Sequence, residues 1–502
     1  MTPLSHGPGR RKTVWGSKQE SQVRQKATWG FKRLLVGAVS LASIFAVATD
    51  ASAGGRRFRK MDAQLESRAI AGSSLRKSRV IVTFADGTDA PLSLQKYSRF
   101  GRIGGINGHV LDIPDSELGN LANLPQTIHV HPDRPVHGMD FRTAVTSGSF
   151  FVNHNRGLTG AGVTVAVLDS GVAKYHDDLS GSSVVAFKDF VNGKLTRYDD
   201  YGHGTHVAGI IAGSGKDSNG KMAGTAPGAK LVVLKVLDAQ GNGHVSDVIA
   251  ALDWLSAYGS YYGVRVVNMS FGAQPDDNPD TDPLALAAKN LVLKGIVVVA
   301  AAGNNGDLNG KKVWGGIPSP ADSPWVITVG ASSSMGTLTR KDDTMAKFSS
   351  RGPAVGHIAK PDLVASGVGI VAPIGSLAAM YQQLPQFLVS PLCSTGICVA
   401  GAKQYLSLSG TSMAAPVVTG TVALMLQANP NLTPNMVKAI LQYTAEFRQG
   451  YSPLEQGAGF LNTLGAVRLA RYYASGGTGP VPAASNWSKA IYWGNHRLTG
   501  GI

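Results

Sequence analysis

Three short segments hold residue types that together could move an acyl group. Val165-Ala166-Val167-Leu168-Asp169-Ser170-Gly171-Val172 ends an apolar run on a carboxylate. Gly202-His203-Gly204-Thr205-His206-Val207-Ala208-Gly209 sets a histidine between glycines at a helix start. Ser409-Gly410-Thr411-Ser412-Met413-Ala414-Ala415-Pro416 opens an apolar helix on a serine. A neutral hydroxyl is a poor nucleophile, so Ser412 needs a base within hydrogen-bond reach. His203 can take that proton and return it to a leaving amine, because a histidine ordinarily titrates at about 6.5. Asp169 would hold the imidazole in one tautomer and stabilise its cation. The first turn of the helix after Ser412 adds partial positive charge where an oxyanion would form.

Each segment alone has a plainer reading. Asp169 suits a turn at a strand end, and Ser412 suits an N-cap. His203 and His206 at i, i+3 could bind a metal, but no third ligand stands at a set spacing. The order and company of the three segments carry the catalytic reading.

The elements that must position them are legible as well. From Gly162 onward, short apolar runs recur at Val163–Leu168, Leu231–Leu237, Val264–Met269, Ile296–Ala300 and Val326–Val329. Runs of this length, rich in valine and isoleucine, suit strands buried on both faces. Helical segments lie between them, with Val248, Leu252 and Leu255 at i, i+4, i+7 in one. The alternation predicts an α/β fold, a parallel sheet flanked by helices, over residues 156–473. Before it, residues 79–131 read as a small α+β domain. Its strands are expected at Val80–Phe84, Val110–Ile113 and Thr127–Val130, with helices over Pro91–Phe100 and Asp115–Leu124. Residues 54–78 read as a basic linker, 132–155 as a connector, and 474–502 as a loosely packed Gly/Ser/Pro-rich extension. Leu377–Ala400 reads as an inserted flap.

The chain has 502 residues and a formal net charge of +15. Such a charge suggests nucleic acid or an anionic membrane. Its distribution weakens that suggestion. Residues 1–53 carry eight basic and two acidic side chains, residues 54–142 thirteen and nine, and residues 143–502 twenty-six and twenty-one. Two thirds of the excess precedes residue 143, and no nucleic-acid-binding motif accompanies it. Lys32 and Arg33 precede the apolar run Leu34–Thr49, which ends in Ala51-Ser52-Ala53. That order is the layout of a secretory signal over residues 1–53. The protein is therefore expected to be secreted, extracellular or periplasmic, with a membrane role only if the signal stays uncleaved. In that compartment Cys393 and Cys398 are expected to form a small disulfide hairpin.

The three segments closely resemble the Asp, His and Ser signatures of the subtilisin-like serine proteases, the subtilases, and occur in that family's order. The likeness runs over about residues 157–470. It implies a serine endopeptidase with Asp169, His203 and Ser412 as its catalytic triad. Ala300-Ala301-Ala302-Gly303-Asn304-Asn305-Gly306 resembles the family's oxyanion segment, which gives Asn304 the side-chain donor role beside the Ser412 backbone. Asn268-Met269-Ser270-Phe271-Gly272 resembles the edge that takes substrate as an added β-strand. The resemblance places Ser270, Phe271, Gly272, Ala301, Ala302 and Gly303 along the substrate. Phe348-Ser349-Ser350-Arg351-Gly352-Pro353 and Lys360-Pro361-Asp362 resemble further landmarks.

Residues 79–131 resemble the family's propeptide, an intramolecular inhibitor, so a self-processing zymogen is implied, with cleavage somewhere in 132–147. His129, His131 and His137 near that junction suggest a pH-triggered release as one hypothesis. Peptides or proteins are the implied substrates, and the chemistry requires no cofactor. Structural calcium is known in the family, but Ser214–Ala223, with Asp217 and Asn219, does not preserve its strong calcium loop, and no calcium site can be placed. Two alternatives share these residues: a catalytically silent peptide-binding relative, and an esterase or transpeptidase using the same nucleophile.

Overall fold

The computed structural model describes residues 58–133, 135–138, 149–153, 157–390 and 405–498, a few isolated positions excepted. The proposed signal, residues 1–53, and the pair Cys393 and Cys398 lie outside the described residues.

The N-terminal unit begins earlier than its strand pattern suggests. Within the stretch read as a linker, helix α1 (Ala63–Ala71) forms, and Phe58, Met61 and Leu65 enter the unit's core. Apolar residues spaced this widely among arginines look unpatterned until a sheet is there to receive them. That sheet has four antiparallel strands in the order β2-β3-β1-β4: β1 (Lys77–Phe84), β2 (Ser98–Ile103), β3 (Gly108–Pro114) and β4 (Thr127–Pro132). Helices α2 (Leu92–Gln95) and α3 (Leu118–Asn123) complete it. The helix expected over Pro91–Phe100 stops at Gln95, because the chain beyond it pairs with the open edge of β3.

The continuous apolar run in β1 has a specific cause. Successive side chains of a strand face opposite ways. Val80 and Val82 pack with Leu111, Leu118 and Leu121 in the unit's own core. Ile81, with Ile103, Ile106 and Val110, faces the other way and joins the core of the larger unit. Both faces of its inner strands β1 and β3 are therefore largely buried.

One short strand follows, β5 (Pro135–Gly138), and then the larger unit. Its main sheet has the order β14-β13-β12-β10-β6-β8-β7, with β15 also paired to β13. The strands are β6 (Thr164–Asp169), β7 (Val184–Asp189), β8 (Lys230–Lys235), β10 (Val264–Met269), β12 (Val297–Ala301), β13 (Ile327–Ser333), β14 (Thr344–Met345) and β15 (Leu363–Ser366). All pair in parallel except β14. Two edge strands, β9 (Asn242–His244) and β11 (Phe271–Gly272), stand apart from it. The expected α/β architecture is present, a mostly parallel sheet covered by helices.

The layers follow from alternation along single strands. In β6, Val165 and Val167 join one core and Ala166 and Leu168 the other. The first core takes α4 (His203–Ala212), α8 (Thr411–Ala428) and α10 (Thr463–Ala474). The second takes α5 (Val245–Tyr258) and α6 (Pro283–Leu293). Helix α8 is long and apolar enough to cross a membrane by composition, yet 89% of its apolar window is buried in the protein. It is the central helix of the fold.

Between β16 (Ile370–Pro373) and β18 (Tyr405–Leu408), the inserted segment carries α7 (Ala379–Gln383) and β17 (Leu388–Val389), which pairs with β18. The C-terminal extension packs closely rather than loosely. Its hairpin β19 (Ile491–Trp493) and β20 (His496–Leu498) lies against α9 (Pro434–Thr444). Tyr492 N–H donates to Gln442 Oε1 at 2.5 Å, Ser488 N–H to Ala445 O at 2.7 Å, and Ala359 N–H to Gly494 O at 2.9 Å. Trp487 is 6% exposed, and Trp493 meets Trp325 edge-on at 5.6 Å. Two tryptophans within the Gly/Ser/Pro-rich composition act as anchors that need no periodicity to dock.

Candidate active site

Asp169 is the last residue of β6, between β8 and β10, at the carboxyl end of the sheet. This is where open α/β sheets place ligands. Its Oδ1 accepts the Ser170 N–H at 2.8 Å and the His203 Nδ1–H at 2.7 Å. Both side chains are fully buried. With Nδ1 donating to the carboxylate, Nε2 is the nitrogen that can act as base.

His203 opens α4, and the glycines beside it make the approach possible. Gly202, the N-cap, has φ +108°, and a Cβ there would lie 2.5 Å from Ile374 Cδ1. A Cβ on Gly204 would lie 2.3 Å from Gly171 O and 3.1 Å from Asp169 Cβ. Helix α4 therefore presses against the end of β6 closely enough to close the Asp–His bond. His206, one turn on, points elsewhere: its Nε2 donates to Leu406 O at 2.9 Å, and burial pushes its pKa down to about 3. The two histidines are not a metal pair.

Ser412 lies in the first turn of α8. Its hydroxyl donates to Ser270 O at 2.9 Å, and the Ser270 hydroxyl donates to Ser412 O at 2.9 Å. Asn268 Nδ2 donates to Ser270 Oγ at 2.9 Å. Asn304 is held by its carbonyl end: Oδ1 accepts the Thr411 N–H at 3.0 Å and the Thr411 hydroxyl at 3.1 Å. Its NH₂, a donor only, is then the end left for another partner. The Ser412 backbone N–H belongs to the helix's first turn, where the helix dipole places partial positive charge.

Phe271 and Gly272 form β11, which pairs with β5 antiparallel, Phe271 opposite Gly138 and Gly272 opposite His137. On its other side β5 pairs with β9. The chain's own connector thus fills a strand-shaped slot leading to Ser270 and Ser412. Ala301 and Ala302 are fully buried, one in each core, so their side chains serve the packing. Gly303, at φ +96°, donates its N–H to Thr411 Oγ1 at 3.0 Å. A cavity of about 810 Å³ is lined by Tyr175, Arg197, Tyr198, Ile374, Leu377 and Tyr381, so the inserted segment rims it.

Residues that the motifs did not single out hold the site together. Asp199 accepts hydrogen bonds from the Ser170 hydroxyl at 2.9 Å and the Gly202 N–H at 2.7 Å. Its other oxygen accepts both groups of Thr205. Lys235 is fully buried, and its ammonium donates to Ser170 O at 2.7 Å, Leu237 O at 2.8 Å and Asp200 Oδ1 at 2.6 Å. Asp199 lies in the loop four residues before His203, outside the helix, where no periodic pattern singles it out.

Among the described residues, one group could be considered for a cation: His176, Asp178 and Asp217, whose ligand atoms lie within 4.8 Å of one another. Calcium takes six to eight oxygens. Here one ligand is an imidazole, and both Asp178 oxygens are already engaged, Oδ1 by the Asp217 N–H at 2.9 Å and Oδ2 by the Tyr405 hydroxyl. These residues do not fit calcium.

Comparison with known proteins bears on the family and the fold. The model of the subtilase family matches residues 160–466. The chain is 37% identical over 408 residues to Serine protease AprX of Bacillus subtilis (strain 168), covering 78% of this chain and 88% of that one. It is 34% identical over 315 residues to Subtilisin Savinase of Lederbergia lenta, covering 63% and 94%. Among solved structures, fervidolysin from Fervidobacterium pennivorans, a keratinolytic enzyme related to subtilisin, superposes with a TM-score of 0.60 at 23% identity. That match covers 81% of this chain and 62% of fervidolysin, and it speaks to the fold alone.

Proposed function

The chain belongs to the subtilase family of serine endopeptidases, and from that premise we propose a secreted, self-processing enzyme whose triad is Asp169, His203 and Ser412. The observation that carries this reading is the 2.7 Å bond between His203 Nδ1 and Asp169 Oδ1, both groups fully buried.

In this reading Ser412 Oγ attacks the carbonyl carbon of the scissile bond while His203 Nε2 takes its proton. The buried Asp169 carboxylate stabilises the resulting imidazolium. The carbonyl oxygen becomes an oxyanion, met by Asn304 Nδ2 and the Ser412 N–H. The imidazolium then gives its proton to the leaving amine, and the amine departs as the acyl-enzyme forms. Water, deprotonated by His203, attacks that ester and releases the acid. Substrate lies as an added strand between β9 and β11, so main-chain hydrogen bonds hold it in register. Side chains and backbone amides carry every step.

The N-terminal unit would be the propeptide. Its connector strand β5 already occupies the substrate slot, which supports inhibition in cis and cleavage within 132–147. Residues 1–53 would direct export and be removed. The expected Cys393–Cys398 hairpin would then close in an oxidising compartment. Fluorophosphonate treatment followed by mass spectrometry tests the reading: label on Ser412 and a mature N-terminus past residue 131 support it. Label on another residue, or none on an active preparation, refutes it.

A further inference from the structure

Helix α5 begins without a cap of its own, since His244 makes no side-chain hydrogen bond to its first turn. The cap comes from the other unit. Asp133, one residue past β4, accepts the Ser246 N–H at 2.8 Å and the Ser246 hydroxyl at 2.5 Å. Its carboxylate is fully buried, with the Arg79 guanidinium 3.8 Å away. The next residue of the helix, Asp247, is buried too, at 4% exposure, and its Oδ1 has no hydrogen-bond partner. Two carboxylates, one from each unit, are thus shut into the same joint.

We propose that Asp133 and Asp247 form a proton-dependent latch between propeptide and peptidase, tight in acid and loosened as the pH rises. This rests on the zymogen reading above. A buried carboxylate without a partner is costly when charged, and a second carboxylate beside it adds to the cost. Burial and then the Asp133 charge push Asp247 up to about 6. Arg99 on β2 and Arg79 on β1 pull it down, while Asp189 at the end of β7 pushes it up. Asp133 is raised by burial, against the Ser246 hydrogen bonds and the charges of His244 and Arg79.

When the propeptide leaves, Asp247 is hydrated and loses Asp133 as a neighbour, so its pKa falls back toward the ordinary value. A group raised in the joined state contributes association that is complete below its ordinary pKa. That contribution is lost as the pH climbs through about 6. The dissociation constant should therefore rise by at most about 100-fold across that window. A histidine-driven release through His129 and His131, whose ring centroids lie 4.2 Å apart in β4, would run the other way, with acid as the trigger.

The test starts from the full chain, allowed to process, with its nucleophile then blocked by a fluorophosphonate. Propeptide retained on the peptidase is measured by size exclusion and mass spectrometry from about pH 4 to about pH 8. Retention should fall through about pH 6 in the wild type. It should stay at the acid level in Asp247→Asn, and keep the wild-type profile when His129 and His131 are both changed to Gln. Asp133→Asn, which keeps a capping oxygen, is the second variant and should shrink the profile without abolishing it, because burial still raises Asp247. A wild-type profile in either Asp variant overturns the latch, as does retention that grows with pH. If the wild type does not process at all, the zymogen reading is what fails. The latch is then read in the uncleaved chain by hydrogen exchange at the first turn of α5, corrected for intrinsic rates. Exchange there must quicken with pH in the wild type and not in Asp247→Asn, or the latch fails too.

Discussion

Asp199 Oδ2 accepts both the backbone N–H of Thr205, at 2.8 Å, and its hydroxyl, at 2.5 Å. The same hydroxyl group receives the Ala173 N–H at 2.8 Å. Through its other oxygen Asp199 also holds Ser170 and Gly202. One carboxylate therefore ties the loop after Asp169 to the helix that begins at His203. Its bonds run to Ser170, Gly202 and Thr205, so it acts by position. Asp199→Asn should lower kcat by roughly 10- to 100-fold, the cost of a small misplacement of reacting groups. KM should change little, because β9 and β11 are untouched. A drop in KM-determined affinity with kcat intact would show that Asp199 serves the cleft instead.

Ser412→Ala should abolish peptide hydrolysis and propeptide removal together. The measurement is mass spectrometry of the purified variant, free of other proteases. An efficiently processed Ser412→Ala chain would mean that another enzyme does the processing.

Asn304→Ala removes one oxyanion donor and leaves the Ser412 N–H in place. Turnover should fall by about 10² to 10³ while substrate affinity is nearly unchanged. Steady-state kinetics on a peptide separate the two parameters. Because Asn304 also accepts two hydrogen bonds from Thr411, a melting scan should accompany them.

Trp487→Ala tests the C-terminal extension. The side chain is 6% exposed and packs edge-on to Tyr443 at 6.2 Å. Loss of a buried aromatic of this size should destabilise by about 3 kcal/mol. Denaturant unfolding measures it, and kcat should be preserved, since the extension lies against α9 rather than the triad. An unchanged midpoint would show that the extension only rests on the surface.

Much of the fold was legible because its strands are short, valine-rich and buried on both faces. Val264–Met269 is a strand over the range its apolar run marks. Strand β7 was not legible, since its Val184–Asp189 pattern is only partly buried at a sheet edge. Helix α1 was missed for a related reason: its sparse apolar residues gain meaning only against the small sheet they cover.

Sequence alone determined the chemistry on offer: a carboxylate, an imidazole and a hydroxyl, each in a segment distinctive enough to name the family. Those segments are local, and short-range pattern reports local structure well. The tertiary structure decided what lies between them. Ser270 and Ser412 exchange hydrogen bonds across 142 residues. Asp199 gathers donors from two loops, and Asp133 caps a helix of another unit. Such contacts follow from how closely packed layers bring distant backbone together, and a lone aspartate in a loop carries no period that announces them.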